Sequence, residues 1–182
     1  ACVMAENRES RKAKVIEVLN KARAMELFAI HQYMNQHYNL DDMDYGELAA
    51  NMKLIAIDEM RHAENFAERI KELGGEPTTQ KEGKIVTGQE VTVIYEADAN
   101  QEEATIEAYS SFLAVCKEAG DIVSARLFER IIDEEQAHLT YYDNIDGHIK
   151  KLGDTYLAKI AGTPSTTGPA TKGFVTATPA AG

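Results

Sequence analysis

Between Ala1 and Ala161 the chain holds a single proline, Pro77, and helical periodicity fills the sequence on both sides of it. From Leu48 to Leu73 the positions Leu48, Met52, Ile55, Glu59, His62, Phe66, Arg69 and Leu73 step by four and three, as one face of a helix does. Phe128, Ile131, Glu135, His138, Tyr142, Ile145, Ile149 and Leu152 repeat the pattern. A first helix is expected from about Asn7 to Tyr38, with Glu26 and Tyr33 on its apolar side. A third is expected from about Ala99 to Ala119, with Glu102, Tyr109 and Cys116. Gly120-Asp121 separates the third helix from the fourth, and a short fifth spans about Asp154 to Ala161. The chain is therefore expected to be all-α.

The connections set the topology. Short links make the first and second helices, and the third and fourth, antiparallel neighbours. Gly74 to Asp98 is different: 25 residues rich in Gly, Thr and Val. A thirty-residue helix is about 45 Å long, and this link can reach up to ~80 Å when extended. It can run the length of the bundle and make the second and third helices parallel. The expectation is a four-helix bundle with one long crossover and a short fifth helix, over residues 1–161. Residues 162–182 are set apart by composition, since 18 of these 21 are Gly, Thr, Pro, Ala or Ser, and they read as an irregular tail.

The seams contain residues that a plain hydrophobic core does not hold. Glu59 and His62 form Glu-x-x-His, and Glu135 and His138 form it again, a spacing that puts both side chains of a pair on one helix face. Glu26 precedes Glu59 by 33 residues, and Glu102 precedes Glu135 by the same 33. A single Glu-x-x-His is commonplace on a surface helix. Two on apolar seams, with matched glutamates on the other two helices, point to a dinuclear metal site.

Buried carboxylates cost several kcal/mol each unless compensated, and two divalent ions neutralise four of them. Mixed imidazole and carboxylate ligands suit iron or manganese better than calcium. The candidate ligands and catalytic residues are Glu26, Glu59, His62, Glu102, Glu135 and His138. Glu134 and Glu103 are the adjacent alternatives. Glu134 falls off the His138 face and Glu103 breaks the matched spacing. Tyr33, two turns after Glu26, is placed to hydrogen-bond a metal carboxylate or simply to pack.

Acidic residues outnumber basic ones 30 to 19, for a net charge of −11. Such a surface repels phosphate backbones and anionic head groups, which excludes nucleic acid and membrane as partners. With no apolar run long enough for a span, no secretion signal in Ala1–Ser10 and two lone cysteines, the expected compartment is the cytoplasm. Cys116 reads as a small core residue. His31, His37 and His148 have no matched partners and read as surface or interface residues.

On these residues the chain resembles a ferritin-superfamily subunit from about Asn7 to Ala161, and within that superfamily a bacterioferritin. The segment Ile57-Asp58-Glu59-Met60-Arg61-His62-Ala63 carries the closest likeness, joined by Glu135-Gln136-Ala137-His138, whose histidine haem-free ferritins usually lack. The resemblance implies a ferritin-like bundle, iron storage with ferroxidase activity, and two irons per subunit. It gives Met60, from each of two subunits, the role of axial ligand to a haem or related iron porphyrin, one per dimer. Read from spacing alone, Met60 is a packing or subunit-contact residue on a second apolar strip with Ile57. The resemblance further implies a homo-oligomeric cage of twenty-four subunits and a small electron-transfer protein as reductant. Where some bacterioferritins carry a histidine for an iron site on the cavity wall, Leu54 stands here, so Asp58 would act alone. A rubrerythrin-type peroxidase needs paired Cys-x-x-Cys motifs that are absent. A manganese catalase, or a haem-carrying or purely structural oligomer with vestigial carboxylates, is the alternative.

Overall fold

The structure is a computed structural model describing residues 2–169 and 172–177, with side chains from Asn7 onward. Six helices appear among the described residues: α1 (Cys2–Asp42), α2 (Gly46–Glu72), α3 (Val91–Glu118), α4 (Ile122–Leu152), α5 (Asp154–Ile160) and α6 (Phe174–Ala177). The first four are the bundle. The side chain of Cys2 and residues 170, 171 and 178–182 of the tail lie outside what is described.

The link from α2 to α3 can be followed by its contacts along α1. Asn20 bonds to Glu76 and Thr78, and Arg23 reaches Thr78. The Glu82 amide donates to Ala24, Gln32 exchanges bonds with Val86, and Gln36 donates to Gln89. The link thus climbs α1 in the direction of α1 itself. It delivers α3 to the far end of the bundle, where α3 starts down parallel to α2.

The crossover is shorter than expected, because α3 begins at Val91 and not near Ala99. Val91, Thr92 and Val93 favour extended backbone by propensity. Burial prevails: Val91, Ile94, Tyr95 and Asp98 share one face, and all four are buried in the bundle.

The apolar core is in two parts. One cluster, around Leu40, Leu48, Met52, Ile55, Ile94, Tyr95 and Tyr142, fills the end where α5 and α6 pack. The other, around Leu19, Phe66, Ile70, Tyr109, Cys116, Phe128 and Ile131, fills the opposite end. The acidic seam residues lie between them. At the α5 end, Thr163 sits on the N-terminus of α2 and accepts the Glu47 amide at 2.8 Å through its hydroxyl. The contact is so close that a Cβ on Gly46 would lie 1.7 Å from the Thr163 carbonyl oxygen.

Part of the tail is ordered against the bundle. Phe174 is buried and packs on Tyr141 with ring centroids 4.9 Å apart. A composition of Gly, Thr and Pro gives no helical periodicity, but one aromatic ring with a pocket to fill is enough to dock a short turn.

Candidate metal centre

Each bundle helix contributes one face to a single polar site. Glu26 comes from α1, Glu59 and His62 from α2, Glu102 from α3, and Glu135 and His138 from α4, and all six are buried. Ligand-capable atoms of Glu26, Glu59, His62 and Glu135 lie within 4.8 Å of one another, and so do those of Glu59, Glu102, Glu135 and His138. Glu59 and Glu135 belong to both groups. The arrangement is two adjoining groups of four potential ligands that share two carboxylates.

The hydrogen bonds leave the right atoms over. Glu26 Oε2, Glu59 Oε1, Glu102 Oε2, both oxygens of Glu135 and Nδ1 of both histidines are buried without a hydrogen-bond partner. His62 Nδ1 is 2.8 Å from Glu135 Oε1, and His138 Nδ1 is 3.0 Å from Glu59 Oε1, close but not aligned as hydrogen bonds. Buried polar atoms normally find partners. So many converging ligand-capable atoms without one fit a pair of cations held by oxygen and imidazole.

The opposite nitrogen of each ring is engaged. His138 Nε2 donates to Asp58 at 2.8 Å, and His62 Nε2 donates to Glu134 at 3.2 Å. A ligating imidazole bonded in this way through its other nitrogen is fixed in orientation and made more basic. The outer carboxylates of Glu26 and Glu102 are held similarly. Tyr109 donates to Glu26 at 2.6 Å, and Tyr33 donates to Glu102 at 2.5 Å.

One shift of 76 residues relates the two halves: 26 to 102, 33 to 109, 58 to 134, 59 to 135 and 62 to 138. Each Tyr, and each acid preceding a Glu-x-x-His, serves the ligand of the other half. The internal two-fold therefore extends beyond the ligands.

Electrostatics follow from burial. It pushes the carboxyls of Glu26, Glu59 and Glu102 above their usual range, with Glu135 adding to each. Burial alone would lower His138, but the bond to Asp58 and the neighbouring Glu135 outweigh it and raise the imidazole to about 10. Burial, and then the carboxylates they face, push the Tyr33 and Tyr109 hydroxyls well above the usual phenol value, so both remain donors.

All six sequence-predicted ligands meet here. Met60 does not: it is 53% exposed, on the solvent side of α2. Asp58, expected alone on a cavity wall, is bonded to His138 and buried, with α6 covering it through the Val175 amide. Glu134, set aside as a ligand, contacts the site through His62. His37 is half-buried, its Nδ1 2.6 Å from the Ala49 carbonyl oxygen, and so braces α1 against α2. His31 and His148 are exposed, as expected. Spacing arguments missed Tyr109 as a partner of Glu26. The internal repeat that pairs it with Tyr33 was the available signal.

A four-helix bundle with one crossover, one Glu from each of two helices and a Glu-x-x-His from each of the others is the architecture of ferritin-like carboxylate proteins. Residues 16–152 match the ferritin-like domain family. A bacterioferritin of Desulfovibrio desulfuricans is 88% identical over 178 residues, covering 98% of this chain and 99% of that protein. One from Mycobacterium tuberculosis is 34% identical over 153 residues, 84% of this chain and 96% of its own length. The X-ray structure of D. desulfuricans bacterioferritin, described with its diiron site in different catalytic states, matches with a TM-score of 0.89 and 87% identity, over 92% of this chain and 98% of that one. The chain belongs to the ferritin family and, within it, to the bacterioferritins. No helix among the described residues is long and apolar enough to cross a membrane.

Proposed function

We propose that this chain is a ferroxidase subunit that stores iron, with ferrous ion as its substrate. The observation that carries this reading is the set of unpartnered, buried, ligand-capable atoms from Glu26, Glu59, His62, Glu102, Glu135 and His138. Glu26 with His62 and Glu102 with His138 would each hold one iron, and Glu59 and Glu135 would bridge the two. Iron supplies the redox chemistry: ferrous ions become ferric as oxygen or peroxide takes the electrons. Four carboxylates balance two divalent charges, so loading leaves no net buried charge. Asp58 and Glu134 keep Nδ1 of each imidazole facing inward, and Tyr33 and Tyr109 fix the outer carboxylates.

The finer reading follows the family. Ferric product is stored as a mineral inside a cage of twenty-four subunits in the cytoplasm, and a small electron-transfer protein reduces it for release. Met60 suits an axial thioether, because it projects from α2 into solvent one residue away from the metal seam, with Ile57 beside it on that strip. Two such thioethers from two subunits would hold one haem or related iron porphyrin per dimer.

The test is a double substitution, Glu59→Ala with Glu135→Ala, followed by stopped-flow oxidation of ferrous ion. Rapid oxidation should disappear while circular dichroism still reports the helical bundle. Unchanged initial rates would remove these residues from the reaction.

A further inference from the structure

The internal two-fold of the metal centre is broken at the outer partners of its two histidines. On one side Glu134, which holds His62, is 29% exposed at its side chain and open to water. On the other side Asp58, which holds His138, is 2% exposed and covered by α6. The Val175 amide donates to Asp58 Oδ2 at 3.1 Å, the same oxygen that accepts from His138 Nε2 at 2.8 Å. Gly173 lies flat against the carboxylate, where a Cβ would fall 1.8 Å from Asp58 Oδ1. The Phe174 ring stands edge-on to the His138 ring, with centroids 6.0 Å apart.

We propose that Gly173–Val175 are a positioning element of the metal centre: they fix Asp58, and through it His138, making one of two otherwise equivalent cation sites tighter and drier than the other. The proposal rests on the two-cation reading of the site. Three contacts act on one histidine and its partner: a backbone bond on the carboxylate, a glycine that admits it, and a ring against the imidazole. Among the described residues Glu134 has no backbone amide bonded to it as Asp58 has, and the ring facing His62 is His138 itself, at 6.2 Å. Deleting an outer partner of a ligating histidine typically weakens metal affinity about 10- to 100-fold. Removing the segment should do the same through Asp58, which would then be hydrated and free to rotate.

The experiment titrates the metal-free full chain with Co²⁺, following visible absorption and heat. Two ions per chain are expected. A chain ending at Pro169, and separately Gly173→Val in the full chain, should bind one of the two ions about 10-fold more weakly and the other as before. The retained ion and the circular dichroism spectrum report that each variant is folded. Asp58→Ala should show the same selective loss, and shortening that variant to Pro169 should add much less than it does in the parent chain, since the Val175 bond and Gly173 act through Asp58 and only the Phe174 ring meets His138 directly. Removing only residues 178–182 should leave both ions unchanged.

The proposal is overturned if Gly173→Val and the shortened chain both bind two ions at full affinity. It is also overturned if both ions weaken equally, if the losses from Asp58→Ala and shortening add in full, or if removing 178–182 alone gives the loss. A full chain that binds no pair of Co²⁺ ions would overturn the two-cation reading instead.

Discussion

The Tyr33 hydroxyl donates to Glu102 across 69 residues of sequence at 2.5 Å, and Tyr109 makes the mirrored bond to Glu26 at 2.6 Å. Each tyrosine thus spans the bundle from one half to the outer carboxylate of the other. Without its donor, an outer glutamate can rotate away from the ion. Tyr33→Phe and Tyr109→Phe should each weaken cation binding about 10-fold, with helix content unchanged because the ring still fills its place. Titration with Co²⁺ checks this. Equal affinities in both variants and the parent chain would reduce the tyrosines to packing.

Asp121 caps α4, accepting from the Ser124 amide at 2.9 Å and its hydroxyl at 2.6 Å, with Arg69 at 3.0 Å. Burial would raise its carboxyl, but the Ser124 bonds and the Arg69 charge outweigh burial and hold it below the usual value. A depressed value means the folded chain favours the ionised form. The cap therefore contributes fully above the unfolded carboxyl value of about 3.9, and the contribution fades as pH falls through the lower folded value. Asp121→Ala should cost about 1 kcal/mol at neutral pH. Urea midpoints at pH 7 and in acid should show the gap to the parent chain closing only below about pH 4. A gap unchanged in acid would mean that the cap does not act through its charge.

Gly46 is required by contact, since the Thr163 carbonyl oxygen occupies the space of a Cβ. Gly46→Ala must push Thr163 off the start of α2, breaking its bond to the Glu47 amide. The expected loss is about 1–3 kcal/mol, read from thermal or urea unfolding. A fully stable variant would show that the segment after α5 can shift without cost.

The bundle and the convergence of six inward Glu and His side chains were legible in the sequence because both obey helical spacing, and spacing survives without knowledge of neighbours. Glu26, Glu59, Glu102 and Glu135 stand at seam positions where a leucine would otherwise serve, and their matched separations betray the internal repeat. The outer partners were not legible in the same way. Asp58 lies 80 residues from His138, and its role exists only once α2 and α4 are side by side. The start of α3 was hidden by β-branched residues whose preference yields to burial. The docked tail was hidden more completely: a single buried ring, Phe174, carries no period, and Gly173 matters only through the carboxylate it admits.

Met60 is the large apolar side chain that the bundle leaves uncovered beside the metal seam, at 53% exposure. Ile122 and Val123 at the start of α4 are similarly open. The strip that Met60 forms with the half-buried Ile57 on the flank of α2 is a surface that a second subunit can cover. A thioether offers an iron one donor atom, its sulfur, so a porphyrin held by two thioethers would need Met60 from each of two subunits. Met60→Ala should therefore lose any bound porphyrin, while oxygen or peroxide goes on oxidising ferrous ion held by Glu26, Glu59, His62, Glu102, Glu135 and His138 at the parental initial rate. Light scattering, a visible spectrum and an iron count on the purified chain together check the reading. The parent chain should be a large closed oligomer with one porphyrin per two subunits, loading well beyond two irons per subunit. A variant that keeps a bis-thioether spectrum would move the ligand elsewhere on the surface. A stable dimer that saturates at two irons would leave the metal centre standing and remove storage as its purpose.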